Sequence, residues 1–415
     1  MRTFTIALLL AYRQLQRANR WSSLLIVCVM TLTFLNLVAV SGILVGLIAG
    51  AERAFQDQLY GDITISARTD EDRILNTQQF IDTLQIAPQV SAFSVRYDSP
   101  ARVEANYRTR RNLTAERDIV SGRITGIVSK AEDSVTNLSQ QVVEGSYPEP
   151  GTEGFILIGS LLIDRYAEQF PDIVDSLTDV YPGDRVRVTI GSATQEFTVA
   201  GIVDSKVGEV SANMFISERE FRRLANRFDR NADRIAIITN TPEQAISLQS
   251  TLLGQGYGEY ARIRTFQEAL PRFLLDIKET FTILGTFIGG VGVVVASITI
   301  FIIIFINALS RRRQIGILKG IGIDQRVIEI AYVLQASAYV LAGSLIGVLI
   351  TYGILVGYFD RNPLDFPFSD GILVAEPLGT FYRFLVLFFV TLLAGFIPAW
   401  LIAKQNTLNA ILGRN

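Results

Sequence analysis

Charge is absent from four stretches of this sequence, and that absence constrains the fold more than any motif does. No Asp, Glu, Lys or Arg occurs in residues 21–50, 280–310, 330–359 or 384–403. A charge-free apolar run of about 20 residues is long enough to cross the hydrocarbon core of a bilayer as a helix. The chain therefore reads as a membrane protein with four transmembrane α-helices. Their spacing is lopsided: more than half of the 415 residues separate the first run from the second, and the other three crowd into the C-terminal third. The expected architecture is one span, a large polar insert, then three spans.

Composition narrows the function classes. Hydrophobic residues make up 49% of the chain and charged residues 19%, so the charges must lie outside the four runs. A formal net charge of -2 provides no basic footprint for nucleic acid. The single cysteine, Cys28, sits within the first run, so the insert must be held by its core alone. A domain of roughly 220 residues can supply one. Histidine is absent altogether, which removes the commonest catalytic base and the commonest zinc ligand. Neither a catalytic residue nor a metal site is predicted, and the chain is not expected to be an enzyme.

Short cytoplasmic loops retain Lys and Arg. Arg2, Arg13, Arg17 and Arg20 precede the first run with no acidic residue, and Arg311, Arg312, Arg313, Lys319 and Arg326 outweigh Asp324 and Glu329 between the second and third. The next connection carries Asp360, Asp365, Asp370 and Glu376 against Arg361 and Arg383, and the tail carries Lys404 and Arg414. The pattern predicts cytoplasmic termini and this organisation: 1–20, a cytoplasmic amphipathic segment; 21–50, first span; 51–276, an extracytoplasmic mixed α/β domain of two lobes; 277–310, second span; 311–329, a cytoplasmic loop; 330–359, third span; 360–383, an external loop; 384–403, fourth span; 404–415, a cytoplasmic tail. Ala49-Gly50-Ala51 resembles a signal-peptide cleavage site, but the run before it is about twice the usual length, so it is read as a retained span. Phe4, Leu8, Tyr12 and Leu15 share one face of a helix and suit an interfacial segment; a basic flank without fixed structure is the alternative.

Within the insert, residues 61–66 alternate like a strand, and Asn76 ahead of Phe80, Ile81 and Leu84 reads as a capped helix. Further strands are expected at 92–95, 119–128, 155–158, 214–216 and 235–238, and helices at 217–228 and 242–253. The clearest hairpin runs from Gly183 to Val203 and turns at Gly191-Ser192. The turn-rich stretch 137–154 is the expected divide between the lobes.

The sharpest local signal is Arg311-Arg312-Arg313-Gln314-Ile315-Gly316-Ile317-Leu318-Lys319-Gly320-Ile321-Gly322-Ile323-Asp324. Alternating basic and apolar residues predict a short helix parallel to the membrane, with Ile315, Leu318 and Ile321 or Gly322 offered to a partner. Gly316 and Gly322 permit close approach or a helix stop. The arginine triplet taken alone favours a simple positive-inside anchor instead.

These residues resemble a known family. The stretch from Gln314 through Ile315, Gly316, Ile317, Leu318, Lys319, Gly320 and Ile321 to Gly322 is similar to the E-I-G-I-L-(R/K)-A-I-G signature of permeases of the MacB, LolC/LolE and FtsX group, the type VII ABC transporter superfamily. Pro398-Ala399 with Ala403-Lys404 resembles its P-A-x-x-x-A-(K/R) ending, with Asn409-Ala410-Ile411-Leu412 beyond, and Gly183-Asp184 with Phe197, Val199, Gly201 and Ile202 resembles its G-D-x-V and F-x-V-x-G-I strands. The layout is nearest to LolC/LolE-type or stand-alone MacB-like permeases. Gln314 stands where the family usually has Glu, Gln335 where a Glu often enters the third span, and Thr407 where Pro is usual.

The resemblance implies that Gln314 to Gly322 form a coupling helix seated on a cytoplasmic ATP-binding subunit, itself a dimer. No G-x-x-x-x-G-K-(S/T) loop occurs in the sequence, so ATP and Mg are expected on that partner and no cofactor on this chain. The spans lack ionisable groups with which to relay ions. They carry small-residue steps instead, Gly285-x-x-x-Gly289, Gly343-x-x-x-Gly347 and Gly353-x-x-x-Gly357, for intramolecular packing or for pairing with a second permease copy or paralogue. The implied function is that of an inner- or plasma-membrane ABC permease subunit working by mechanotransmission on a lipoprotein, lipid-like or other hydrophobic or peptide cargo. Membrane lipid and a periplasmic carrier or adaptor are the further implied partners. The alternative is an FtsX-like signalling subunit acting on a periplasmic partner such as a cell-wall hydrolase.

Overall fold

The structure, a computed structural model, describes residues 2–17, 20–108, 117–167, 175–362, 365–366, 369–370 and 373–404. Thr407 and the 409–412 part of the tail motif lie outside the described residues. The chain divides into a helical unit, Met1–Ile48 with Leu275–Asp365 and Asp370–Asn415, and a sheet domain, Ala49–Leu274 with Phe366–Ser369.

Four helices are long and apolar enough to cross a membrane: Arg20–Phe55, Arg272–Ser310, Gln325–Ile350 and Pro377–Ala403. They are called the first to fourth long helices below. The third continues through a π-helical turn, Thr351–Leu355, into Val356–Arg361. Pro377 opens the fourth in the first turn, where its missing N–H costs no hydrogen bond. Met30, Phe34, Val38, Ala296, Ile300, Tyr332, Ala336, Val340 and Leu387 form the centre of the helical core. Outward-facing side chains such as Leu32, Phe287, Val294, Leu345 and Phe389 remain exposed, as lipid-facing positions would be.

The N-terminal segment forms a helix, Arg2–Gln16, packed against the third long helix. Its buried face is Ala7 and Ala11 rather than the larger residues; Phe4, Leu8 and Tyr12 are exposed and only Leu15 joins the core. Small side chains let two helices approach closely, which leaves the bulky apolar residues outside.

In the sheet domain the strands are β1 (Ile63–Ser66), β2 (Val90–Glu104), β3 (Ile119–Ile127), β4 (Val142–Gly145), β5 (Phe155–Gly159), β6 (Arg185–Ile190), β7 (Ala193–Val203), β8 (Asn213–Ser217), β9 (Arg234–Thr239) and β10 (Arg262–Thr265). One lobe is a four-stranded antiparallel sheet in the order β10-β1-β9-β2, covered by helices Thr77–Ile86 and Glu243–Gly254 over a core of Ile63, Ile65, Phe80, Leu84, Ile237 and Leu248. In the other, successive pairings β2-β3-β8-β5-β7-β6 return to β2 and close a six-stranded barrel, with β4 added to β7. Alternation fills it: Val186, Val188 and Ile190 of β6 and Phe197 and Val199 of β7 point inward. Closure also removes the edges that an open sheet would expose.

The stretch 137–154 does not divide the lobes, because it contributes β4 to the barrel. The lobes instead share one strand. In β2, residues up to Arg96 pair with β9 and those from Tyr97 onward pair with β3. Asn76 occupies the cap position of its helix with a left-handed backbone, φ 54°, and no side-chain hydrogen bond, so it shapes the turn rather than capping by its amide.

Candidate functional site

Residues 312–320 form the expected short helix, Arg312–Gly320. It ends in a Schellman arrangement: the Ile323 amide donates to the Leu318 carbonyl and the Gly322 amide to Lys319, both at 3.0 Å. This closure requires a left-handed residue, and Gly322 supplies it at φ 92°. Two residues on, the Asp324 carboxylate accepts from the Arg326 amide at 3.1 Å and caps the third long helix. Helix, stop and restart thus occupy a dozen residues, and the short helix is held firmly at the head of the third long one.

Its faces differ from the expectation in one respect. Ile315, anticipated on the partner-facing surface, is buried in the helical core, and Gly316 beside it is buried too. The position is decided by period: Ile315 faces the bundle, so residues two and six further on must face away. Ile317 and Ile321, one turn apart, are 49% and 72% exposed. Gln314, Gly320 and Gly322 are exposed beside them, and Leu318 and Lys319 are half-buried at the margin. The available surface is an apolar pair flanked by Arg313 and Gln314.

The glycine steps fall into two kinds. A Cβ on Gly343 would lie 2.4 Å from Met30 Cβ, and one on Gly347 would lie 2.4 Å from Phe34 Cδ1, so the first and third long helices touch backbone to side chain. There, Thr31 Oγ1 donates to the Gly343 carbonyl at 3.2 Å. Gly285 and Gly289 meet Leu44 and Leu37 of the first long helix at 3.3 and 3.1 Å. Gly353 and Gly357 meet nothing within 4 Å among the described residues.

A second constellation, which sequence reasoning did not anticipate, lies in the sheet domain. The π-helical turn Gln56–Tyr60 follows the first long helix, and Gly61, at φ 67°, ends it with its amide on the Gln56 carbonyl. Arg96 Nη1 donates to the Leu59 carbonyl at 2.6 Å, while its Nε and Nη2 grip Glu132 at 3.0 and 2.7 Å. Ser94 and Thr136 hydroxyls add two further bonds to that carboxylate. Both ionic side chains are almost wholly buried, 4% and 3% exposed. Burial pushes the Glu132 carboxyl up, but the Arg96 guanidinium and these donors outweigh it and hold the group below its ordinary value.

The turn is pinned on two more sides. Gln58 Oε1 accepts from Ser205 Oγ and the Lys206 amide, and Asp62 accepts from Gln56 Nε2 and from both the amide and hydroxyl of Thr239. Phe55 stacks on Tyr60 and meets Phe273 edge-on, and Leu270 and Leu274 join Phe55 and Leu59 in one apolar cluster. The exit from the first long helix and the entry to the second are therefore fixed in one joint. Arg96 is the residue at which β2 passes between the lobes, so the joint grips their shared strand.

Elsewhere in the sheet domain a crevice of about 530 Å³ runs past Asp72, Arg73, Asp98, Gly191, Arg227 and Asp233. Of its charges, Arg73 pairs with Asp229, Arg227 with Asp233 and Asp98 with Arg234. Among the described residues no cluster of three or more acidic or thiol side chains could hold a metal.

Residues 286–407 match the family described as FtsX-like permease C-terminal, a stretch that includes the short helix, the long helix after it and most of the one before it. The chain is similar to the ABC transporter permease YtrF of Bacillus subtilis, 25% identical over 185 residues, covering 43% of this chain and 40% of that one. It is also similar to the macrolide export ATP-binding/permease protein MacB of Campylobacter jejuni, 21% identical over 228 residues, covering 52% of this chain and 34% of that one. The chain thus spans well under half the length of these relatives. The crystal structure of the periplasmic region of MacB from Actinobacillus actinomycetemcomitans matches 49% of this chain and 88% of its own length at 14% identity and a TM-score of 0.32.

Proposed function

Starting from a chain that carries an FtsX-like permease domain and falls in the MacB/FtsX permease superfamily, we propose that it is the transmembrane subunit of an ABC complex working by mechanotransmission. A separate ATP-binding subunit engages the short helix Arg312–Gly320, and the long helices carry the displacement to the sheet domain on the opposite side of the membrane. The carrying observation is that short helix itself. It lies inside the matched permease domain, is fastened at both ends, and presents Ile317 and Ile321 outward with Arg313 and Gln314.

Two observations support the arrangement of one span, then insert, then three spans. The flanking charges favour a cytoplasmic side for the short helix and the N-terminus. Lys206 Nζ donates to the Phe366 carbonyl at 3.0 Å, and Phe366–Ser369 groups with the sheet domain, which supports reading the connection between the third and fourth long helices as lying on the insert's side. The joint around Arg96 is where motion of the first two long helices enters the lobes. Work is then done outside by rearrangement of the sheet domain, on a hydrophobic or peptide cargo, while hydrolysis occurs inside. The spans serve as levers, since they hold no ionisable group to line a conduit.

The test is made at the exposed pair. Ile317→Asp and Ile321→Asp leave the buried Ile315 and Gly316 in place, and are expected to lower stimulation of the co-purified ATP-binding subunit by on the order of tenfold or more, as truncation at an interface centre does. Undiminished stimulation with both variants would remove the coupling assignment.

A further inference from the structure

A small polar pocket lies at the end of the helical unit that bears the arginine-rich flanks. Its volume is about 30 Å³. Ser22 and Ser23 line it from the first turn of the first long helix, Asn307 and Arg311 from the end of the second, and Tyr332 and Gln335 from the third. Tyr339 completes the wall, bonded to Gln335 at 3.3 Å and to Ser23 at 3.1 Å. The lining contains a cation and no carboxylate.

Tyr332 is 2% exposed, and its hydroxyl has no hydrogen-bond partner among the described residues. A buried hydroxyl in a lipid-facing bundle is rarely left so, because no bulk water can compensate it. The first turn of a helix of 36 residues adds the positive end of its dipole, with Ser22 and Ser23 on the pocket wall. Arginine, helix N-terminus and a lone donor converge on one cavity, and that set recognises a phosphate.

We propose that this pocket binds the phosphodiester of a membrane phospholipid. Two features favour a lipid over free phosphate. Arg13, Arg17, Arg20 and Arg311 to Arg313 flank this end of the bundle, the charge pattern of a headgroup layer. On the helix that supplies Ser22 and Ser23, Trp21, Leu24 and Leu25 are 80%, 64% and 55% exposed and offer acyl chains a surface beside the pocket. The assignment rests on the reading that the long helices span a membrane, and is independent of any ATP-binding partner.

The experiment uses the full-length chain in maltoside detergent, delipidated and then titrated with phosphatidylglycerol, diacylglycerol or inorganic phosphate, with binding read by native mass spectrometry and by the thermal midpoint. Phosphatidylglycerol is expected to bind about tenfold more tightly than diacylglycerol, which lacks the phosphate. Arg311→Gln and the isosteric Tyr332→Phe should each weaken it by about three- to tenfold, and Arg311→Lys should restore most of the loss. Tyr332→Phe keeps the packing, so it reads the site even if Arg311→Gln folds poorly. Equal binding of the two lipids, or of one lipid to wild type and Tyr332→Phe alike, would mean adventitious lipid only and overturn the proposal. Displacement of the lipid by inorganic phosphate at equal concentration would overturn the lipid assignment in favour of a free anion.

Discussion

The helical unit and the sheet domain bury polar groups by opposite rules. In the long helices the buried polar side chains are hydroxyls and one amide, Thr31, Thr33, Gln335, Ser344, Thr351, Thr380 and Thr391. Thr31, Thr33 and Thr351 each donate to the carbonyl one turn back on their own helix. Such bonds satisfy the group on its own helix, and Thr31 also reaches across to the Gly343 carbonyl of the third long helix. The sheet domain buries full charges, Arg96 with Glu132 and Arg227 against a half-buried Asp233, each fixed by direction as well as by attraction. A buried ion pair adds little net stability, but losing one partner is expensive, so it enforces one geometry. The sheet domain is thereby held to one geometry around Arg96 and Glu132.

The largest effect should come from breaking the joint by half. Arg96→Met leaves Glu132 buried without its cation and should cost about 3–5 kcal/mol, whereas Arg96→Met with Glu132→Leu should recover most of that loss. The recovery is incomplete because the Leu59 carbonyl still lacks its donor. Thermal melting of the full-length chain in detergent distinguishes the two. A single variant that melts with wild type would show that the pair does not hold the joint.

In the helical unit the corresponding break is steric. Gly343→Leu and Gly347→Leu drive side chains into Met30 and Phe34 and should cost about 1–3 kcal/mol or somewhat more. Gly353→Leu and Gly357→Leu enter open space and should stay within about 0.5 kcal/mol. The same melts give the answer. Equal losses at Gly343 and Gly353 would mean that the second face is covered by another chain, and the contrast between the steps would fail.

How far the sequence could be read follows the same division. The long helices were legible because exclusion of charge is a one-dimensional signal, and the short helix because Gly322 and Asp324 carry its stop and the next start locally. The hairpin of β6 and β7 was legible from alternation and its Gly191-Ser192 turn. Barrel closure was not, since pairing β2 with both β3 and β6 depends on contacts up to 87 residues apart. Within β2, only 92–95 reads as strand from the sequence, and Arg96, Asp98, Pro100 and Arg102 lie beyond it without an assignment. Pro100 is tolerated between the segment paired with β9 and that paired with β6. Arg96 itself was invisible because an arginine in sequence reads as solvent-facing, and its carboxylate partner lies 36 positions away. The inward turn of Ile315 was missed for a related reason: periodicity gives the face of a helix but not which face the neighbouring bundle covers.

The smallest effect separates the two regions by acid. Glu132 is held below its ordinary value, and so is Asp98, where burial raises the carboxyl but Arg234 and Thr125 overcome it. A carboxylate with a depressed folded value contributes stability that is whole above the ordinary range, about pH 4, and is lost as pH falls through the folded value. Glu220 and Asp233 act in the opposite sense: burial raises both, so their charge costs stability at neutral pH and protonation returns part of it on acidification. The sheet domain should therefore hold a flat stability from neutrality to about pH 5 and weaken only below about pH 4. The charge-free runs of the long helices have no carboxylate to protonate, and both tryptophans, Trp21 and Trp400, lie in the helical unit. Hydrogen exchange across β2 should thus rise on acidification before tryptophan emission changes. Emission changing first would place the acid-sensitive contacts in the helices and reverse the comparison.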